Sequence, residues 1–394
     1  MIKNKTTRPI VITANSSFYL LHYRKLLIKD LKRKNKVVTI SPVDSSSNSL
    51  AKLSFNLPWR IDRSKDLNPF SFLISLLRMF FLIRAIKPKL IHSHTLRTNL
   101  IVAIVCFFYN IPCILSFTGL GILSNNQSSN FLFKIIIKTT IFLSVFERKG
   151  LFNCVKTLSR SRFIFQNNND LNSISSICTD SIAISRLIYG SGLPLQFFKT
   201  KKSLFNWTFD HSIQSTPKIE FIYCARLLIS KGIKIFLKLA EKFPEHEFIV
   251  FGAFDFSSKD SISNSDFLNL CNKKNISFKG HLKNPLLKNS FKKPVLIVPS
   301  NYGEGLPRAI LEAFSQKIPV ICSLQATINL FTEKELYVVK NKKIQDYQFV
   351  INKFIDEFKD GNLEKKLKNA QNFSINFSEK EIVKQTKKIY YELL

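Results

Sequence analysis

Acidic residues are scarce in this chain, and scarcest in its first half. Residues 1–200 hold 28 Lys+Arg against 7 Asp+Glu, and residues 201–394 hold 31 against 20, so +21 of the formal +32 lies in the first half. An AT-rich gene would enrich Lys, Asn, Ile and Phe, but it would not strip acids from one half. A one-sided positive surface calls for an anionic partner: nucleic acid, anionic lipid or a phosphorylated substrate. Other absences narrow the class. The seven cysteines are odd in number and form no CxxC pair, which argues against a disulfide or zinc framework and for free thiols in a reducing compartment. The six histidines show no HxxxH spacing. His92 and His94 share one face of a strand, which by itself is weak evidence for a metal. No apolar segment follows the first five residues, so no secretory signal is expected. Neither a Walker loop nor GxGxxG occurs.

Long hydrophobic runs are also missing. The stretches 68–89, 99–117 and 130–150 are apolar but are interrupted by Arg78, Arg84, Asn110, Pro112, Lys134 and Lys138. None gives about 20 uninterrupted apolar residues, so none is expected to span a membrane. They read as core helices or as helices dipping into a bilayer surface.

What is present is a strand–helix alternation that runs twice. Strands are expected at 9–15, 37–42, 90–94 and 112–119, with helices at 18–34, 70–87, 97–108 and 131–150. The pattern restarts with strands at 218–226, 246–252, 276–281, 294–300 and 318–323. Helices then fit at 231–243, 261–274, 306–317, 344–369 and 379–394. Such alternation argues for α/β architecture, with two doubly wound Rossmann-like domains facing a cleft. The boundaries read as 1–195 for the first domain, 196–217 for a linker and 218–377 for the second. The C-terminal helix, 378–394, is expected to pack back onto the first domain.

Chemistry concentrates in the second domain. In "PSNYGEGLPRAILEAFSQKIPVICS" (299–323) a strand ends at Pro299-Ser300 and a helix begins near Gly305-Leu306-Pro307. Proline suits a first helical turn, and the positive end of the helix dipole suits a phosphate. Glu304 precedes the helix and Glu312 lies on it. A carboxylate can accept hydrogen bonds from vicinal hydroxyls, or it can be an ordinary helix-end acid or a solvated helix residue. In "CARLLISKGI" (224–233), Arg226 and Lys231 flank a strand-to-helix turn, where cations could grip a diphosphate. "FKGHLKN" (278–284) ends another strand, where a backbone edge could meet a nucleobase.

Arg226, Lys231-Gly232, Gly280 and the Glu304–Glu312 pair, with seven residues between the glutamates, resemble the retaining GT-B glycosyltransferases of family four. The likeness extends to 12–31, 91–100, 116–121 and 188–194, and is closest to the branch that builds capsule, O-antigen and other lipid-linked glycans. It implies a transferase moving a sugar from a nucleotide-sugar, UDP-linked, to a lipid-linked acceptor of the undecaprenyl-diphosphate type. Arg226, Lys231, Gly305 and Leu306 would meet the diphosphate, and Glu312 the ribose. Glu304 and His94 would stand at the reacting sugar, and Asn15, Ser16 and Gly119 in first-domain loops near the donor. Arg97 is a candidate for the acceptor phosphate, and His92 reads as core. Neither a cofactor nor a divalent metal is expected, because Arg226, Lys231 and the helix start would carry the leaving-group charge. Helices 70–87 and 131–150 would dock on anionic lipid at the cytoplasmic face of the membrane. The sequence departs from the family pattern at "TANSSF", which has no glycine, at Leu193-Pro194, and in "SFTGLG", which lacks a histidine before Gly119. Rival readings are a UDP-sugar epimerase or hydrolase, a scaffold descended from a transferase, and a basic nucleic-acid-binding protein. No nucleic-acid motif supports the last, and nucleic acid is not expected as a partner.

Overall fold

The computed structural model describes residues 8–61, 68–119, 129–148, 154–157, 160–177, 179–199, 207, 218–256, 258, 260–288, 291–301 and 306–394. The chain divides into two compact units, Met1–Gly192 with Glu379–Leu394, and Leu193–Ser378.

The first unit opens with β1 (Ile10–Thr13), α1 (Ser17–Tyr23), α2 (Lys25–Leu31), β2 (Val37–Ser41), α3 (Ser47–Leu53) and β3 (Phe55–Pro58). It continues with α4 (Pro69–Ile86), β4 (Leu90–His94), α5 (Leu96–Tyr109), β5 (Cys113–Phe117) and α6 (Ser129–Val145). A small hairpin, β6 (Phe146–Arg148) and β7 (Cys154–Lys156), precedes β8 (Ser161–Phe165), α7 (Asn168–Ile177), α8 (Asp180–Ile184) and β9 (Ser185–Leu187). Seven parallel strands run in the order β3-β2-β1-β4-β5-β8-β9. Every residue of β1, β2, β4 and β5 is buried, as expected of a parallel sheet covered on both faces. Val11, Ile91 and Leu115 pack on one side with α4, α5 and α6, while Ile10, Ile12 and Ile114 pack on the other with α2.

The second unit holds β10 (Glu220–Cys224), α9 (Ile233–Leu239), β11 (Glu247–Phe251), α10 (Asn264–Cys271), β12 (Ile276–Phe278) and α11 (Pro285–Lys288). There follow β13 (Pro294–Val298), α12 (Arg308–Ser315), β14 (Val320–Ser323), β15 (Tyr337–Val339), α13 (Ile344–Lys359) and α14 (Leu363–Ile375). Its six parallel strands run β12-β11-β10-β13-β14-β15. Phe197 is buried in this unit, accepting a hydrogen bond from Gln316 Nε2 at 2.9 Å, and Trp207 packs against Phe354 and Phe358. The chain ends with α15 (Glu379–Leu393), which belongs to the first unit. Its Ile382, Ile389 and Tyr390 join the apolar cluster under β1.

Several element boundaries differ from the sequence reading. The helix expected over 18–34 breaks at Arg24, whose side chain turns inward to donate to Tyr19 Oη at 2.8 Å. The helix expected over 344–369 is two helices, separated at Gly361, whose φ of 73° is a left-handed value that glycine adopts without strain. The helix expected over 131–150 gives way at Phe146 to β6. Membrane-crossing capacity is also corrected. Among the described residues, one helix, α4, is long and apolar enough to cross a bilayer by length and composition, and its two arginines are too few to change that.

Candidate functional site

In both sheets the strand order reverses beside the first strand, and in doubly wound sheets the carboxyl ends at that reversal are where ligands bind. In the second unit the reversal lies between β10 and β13. The turn after β10 carries Arg226 and Lys231; the turn after β13 carries Pro299, Ser300 and Asn301. The two turns lie against each other: Asn301 N–H donates to the Ser230 carbonyl at 2.8 Å. Gly232 makes this approach possible. Its φ is 77°, and a Cβ there would sit 2.1 Å from the Pro299 carbonyl oxygen. The fold therefore brings together two stretches about 70 positions apart in the sequence. Glu304 and Gly305 lie outside the described residues.

Arg226 is exposed and pairs with Asp255 at 2.6 Å. The turn bearing Lys231 is tied down by Asp260, whose carboxylate accepts from Ser230 N–H at 3.2 Å and whose carbonyl accepts from Ile229 N–H at 2.8 Å. The helix after β13 starts at Arg308, with Pro307 as its cap (φ −67°, ψ 96°). Leu306 and Pro307 thus precede the helix and do not form its first turn, because the backbone at Pro307 remains extended.

Glu312 is not a solvated helix residue. Only 6% of it is exposed, and Arg308 Nε donates to its carboxylate at 2.7 Å, one helical turn away. Burial raises the Glu312 pKa, and the Arg308 guanidinium draws it back. The Cys224 thiol, at the end of β10, is pushed up to about 12 by burial and then by the Glu312 charge. The Glu312 charge thus acts on the thiol at the end of the strand that leads into Arg226. Sequence reasoning missed Arg308, Asp255 and Asp260. The i, i+4 spacing of Arg308 and Glu312 could have revealed the first; no local pattern marks the other two.

In the first unit the reversal lies between β1 and β4. The end of β1 leads into Asn15 and Ser16, and β4 ends at His94. Ser16 caps α1, its Oγ accepting from Tyr19 N–H at 3.0 Å. Gly119 follows β5 with a φ of 110°. Arg97 is half-buried at the start of α5. His94 is wholly buried, and neither ring nitrogen has a hydrogen-bond partner. Burial, then His92, then Arg24 hold its pKa well below the ordinary histidine value, so the ring is neutral. Thr95, the next residue, has φ 76° and ψ 147°, a conformation costing a non-glycine residue about 1–3 kcal/mol and concentrated at functional sites. Among the described residues no cluster of His, Cys, Asp or Glu is suited to a metal.

Two family models match: "Glycosyl transferases group 1" over residues 206–372 and "Glycosyl transferase 4-like" over residues 10–142. The two matches, one in each unit, mark the chain as a glycosyltransferase similar to group 1. Solved structures agree on the fold, which is GT-B. Anabaena Alr3699/HepE in complex with UDP superimposes with a TM-score of 0.72 at 14% identity, covering 98% of this transferase and 100% of that chain. Sucrose-phosphate synthase (tll1590) from Thermosynechococcus elongatus gives 0.74 at 13% identity, covering 98% and 99%. The apo form of the lipopolysaccharide outer core galactosyltransferase WaaB gives 0.68 at 12%, covering 98% and 100%. No curated protein matches the transferase significantly.

Proposed function

We propose that this glycosyltransferase moves a sugar from a UDP-linked donor to a lipid-linked saccharide acceptor, with retention, at the cytoplasmic face of the membrane. The observation that carries the donor half is the convergence of Arg226, the Lys231 turn and the Arg308–Glu312 pair at the strand reversal of the second sheet. The UDP and UDP-glucose complexes of the Anabaena protein support the same choice of donor. In the reaction the bond from the anomeric carbon to the diphosphate breaks and one from the acceptor oxygen forms. Arg226 and Lys231 stabilise the charge left on the diphosphate, which is where electrostatic catalysis acts most strongly. Arg226 leaves Asp255 readily, since an exposed ion pair is worth about 0–1 kcal/mol. Glu312 takes the ribose hydroxyls. Glu304, Gly305 and Leu306 act at the donor sugar and distal phosphate, with Asn15, Ser16 and Gly119 in the first-unit loops. His94 hydrogen-bonds at the reacting sugar as a neutral imidazole, and Arg97 meets the acceptor phosphate. No metal ion is assigned a role, so turnover is expected to survive EDTA.

Helix α4 supports the membrane half. Phe70, Leu73, Ile74, Leu77 and Phe81 are all exposed, Phe70 by 77% and Phe81 by 70%. They lie at i, i+3, i+4, i+7 and i+11, one continuous stripe. Met79 and Ile83, on the opposite side, are buried in the core. Residues 67–146 contain seven Lys and Arg and no Asp or Glu. An apolar stripe in an acid-free basic region fits an anionic lipid surface, where each nearby cation contributes about 1 kcal/mol. The test is a screen of UDP- and GDP-sugars with a membrane-lipid extract, reading nucleoside diphosphate release. Release that needs both a UDP-sugar and the extract is expected. Turnover without acceptor would point to a hydrolase or epimerase and refute the transfer.

A further inference from the structure

His94 has no hydrogen bond of its own, so something else must fix its ring. It lies between two aromatic neighbours. The His92 ring centroid is 4.2 Å away, and the Tyr19 centroid is 5.3 Å away on a ring only partly covered. Tyr19 is held at its hydroxyl by Arg24, and His92 is held at both ring nitrogens. Its Nδ1 is hydrogen-bonded to Tyr390 Oη at 2.7 Å and its Nε2 to Ser116 Oγ at 2.8 Å. Whichever nitrogen carries the proton, both are partnered, so the ring cannot turn without breaking two buried hydrogen bonds. Ser116 stands beside His94 in the β4–β5 register, and its carbonyl accepts from Asn99 Nδ2 at 3.0 Å and Thr95 N–H at 3.2 Å.

Tyr390 comes from the last turns of the chain, 298 positions from His92. Helix α15 is held around it by ion pairs. Glu392 accepts from Arg162 at 2.7 Å and Arg186 at 2.9 Å, and Lys387 pairs with Asp30 at 2.5 Å. Ordinary packing of a terminal helix requires the apolar seam of Ile382 and Ile389, but no buried hydroxyl aimed at an imidazole.

We infer that Tyr390 is a positioning residue: the C-terminal helix locks His92, and His92 sets the orientation of His94 for the reacting sugar. This deepens the functional reading above and rests on its placement of His94 at the reaction centre.

The test uses Tyr390→Phe, which keeps the ring and removes the hydroxyl, and Ser116→Ala, which frees the other nitrogen of His92 should the first variant fold poorly. Turnover is measured as UDP release from the UDP-sugar accepted in the donor screen. Each variant is expected to lower kcat about tenfold with donor KM within about twofold. In a His94→Asn background Tyr390→Phe is expected to have no further effect, because the two changes share one path. In enzyme with 15N-labelled histidine, Tyr390→Phe should shift the ring-nitrogen signals of His92 and His94 and leave the other four histidines unchanged. Wild-type kcat for Tyr390→Phe, or an equal loss in both backgrounds, would overturn the inference while leaving the site standing. Wild-type kcat for His94→Asn would instead overturn the placement of His94 and the inference with it.

Discussion

Two buried neutral histidines side by side make the first unit sensitive to acid in a calculable window. His92 and His94 both have pKa values well below 6.5, each mainly through burial, with Arg24 adding to both and His92 to His94. The groups facing them are Arg24, Tyr19, Tyr390 and Ser116, and no carboxylate is hydrogen-bonded to either. Because the folded pKa values are depressed, the unfolded chain binds more protons below pH 6.5. Stability is therefore complete above 6.5 and lost as pH falls toward the folded values. From pH 7.0 to 5.5 each histidine removes on the order of 1 kcal/mol, and the pair about twice that. A domain's whole stability is about 5–15 kcal/mol, so the loss is large. The chain has two tryptophans. Trp59 is buried in the first unit, its Nε1 donating to the Ser75 carbonyl at 3.0 Å, and Trp207 belongs to the second. A Trp207→Phe variant thus makes Trp59 fluorescence a reporter of the first unit in urea unfolding at the two pH values. The reasoning fails if the midpoint shift amounts to less than about 1 kcal/mol, or if replacing both histidines with glutamine leaves the shift intact.

The remaining predictions concern the donor site and the membrane. Gly232→Ala should destabilise the second unit by about 1–3 kcal/mol and abolish donor binding, because the new Cβ meets the Pro299 carbonyl in a left-handed backbone; thermal unfolding and UDP titration read this. Lys231→Ala should abolish transfer with folding intact, whereas Glu312→Ala should raise the donor KM about tenfold, and normal turnover in both would remove the site. Arg308→Ala should also raise donor KM, since it leaves a buried carboxylate unpaired; circular dichroism separates this from unfolding. Phe70→Ser with Phe81→Ser should release the protein from phosphatidylglycerol vesicles in flotation at moderate salt without changing its melting temperature, since both rings are exposed.

The motif proposed to bind the donor could be singled out because its parts are local, although Glu304 and Gly305 lie outside the described residues. A strand end, a turn with Gly-Leu-Pro and an apolar helix face lie within 25 contiguous residues, and each follows from short-range rules. Lys231 beside Gly232 was legible for the same reason. Its neighbour across the site, Pro299, was not, because only the strand order β10-β13 brings the two turns together. Asp255 and Asp260 left no trace in the sequence, since a carboxylate in a loop has no period by which to be recognised. Strands β3, β8, β9 and β15 were also missed, three of them at a sheet edge.

His92 shows where local reading stops. Read from its strand, it is one more side chain in a buried row, and core is a sufficient description. Its two hydrogen bonds change that, because one partner is 24 positions away and the other 298. The sequence around Tyr390 reads as an amphipathic helix end, and a buried tyrosine there satisfies the same pattern with or without its hydroxyl. Period and composition report which atoms leave water; they do not report which polar atoms leave it together. Buried polar groups must find partners, and at the ends of these two sheets the partners come from distant parts of the chain. Chemistry in this fold is therefore least legible in the first unit, where the end of β4 meets the end of the chain.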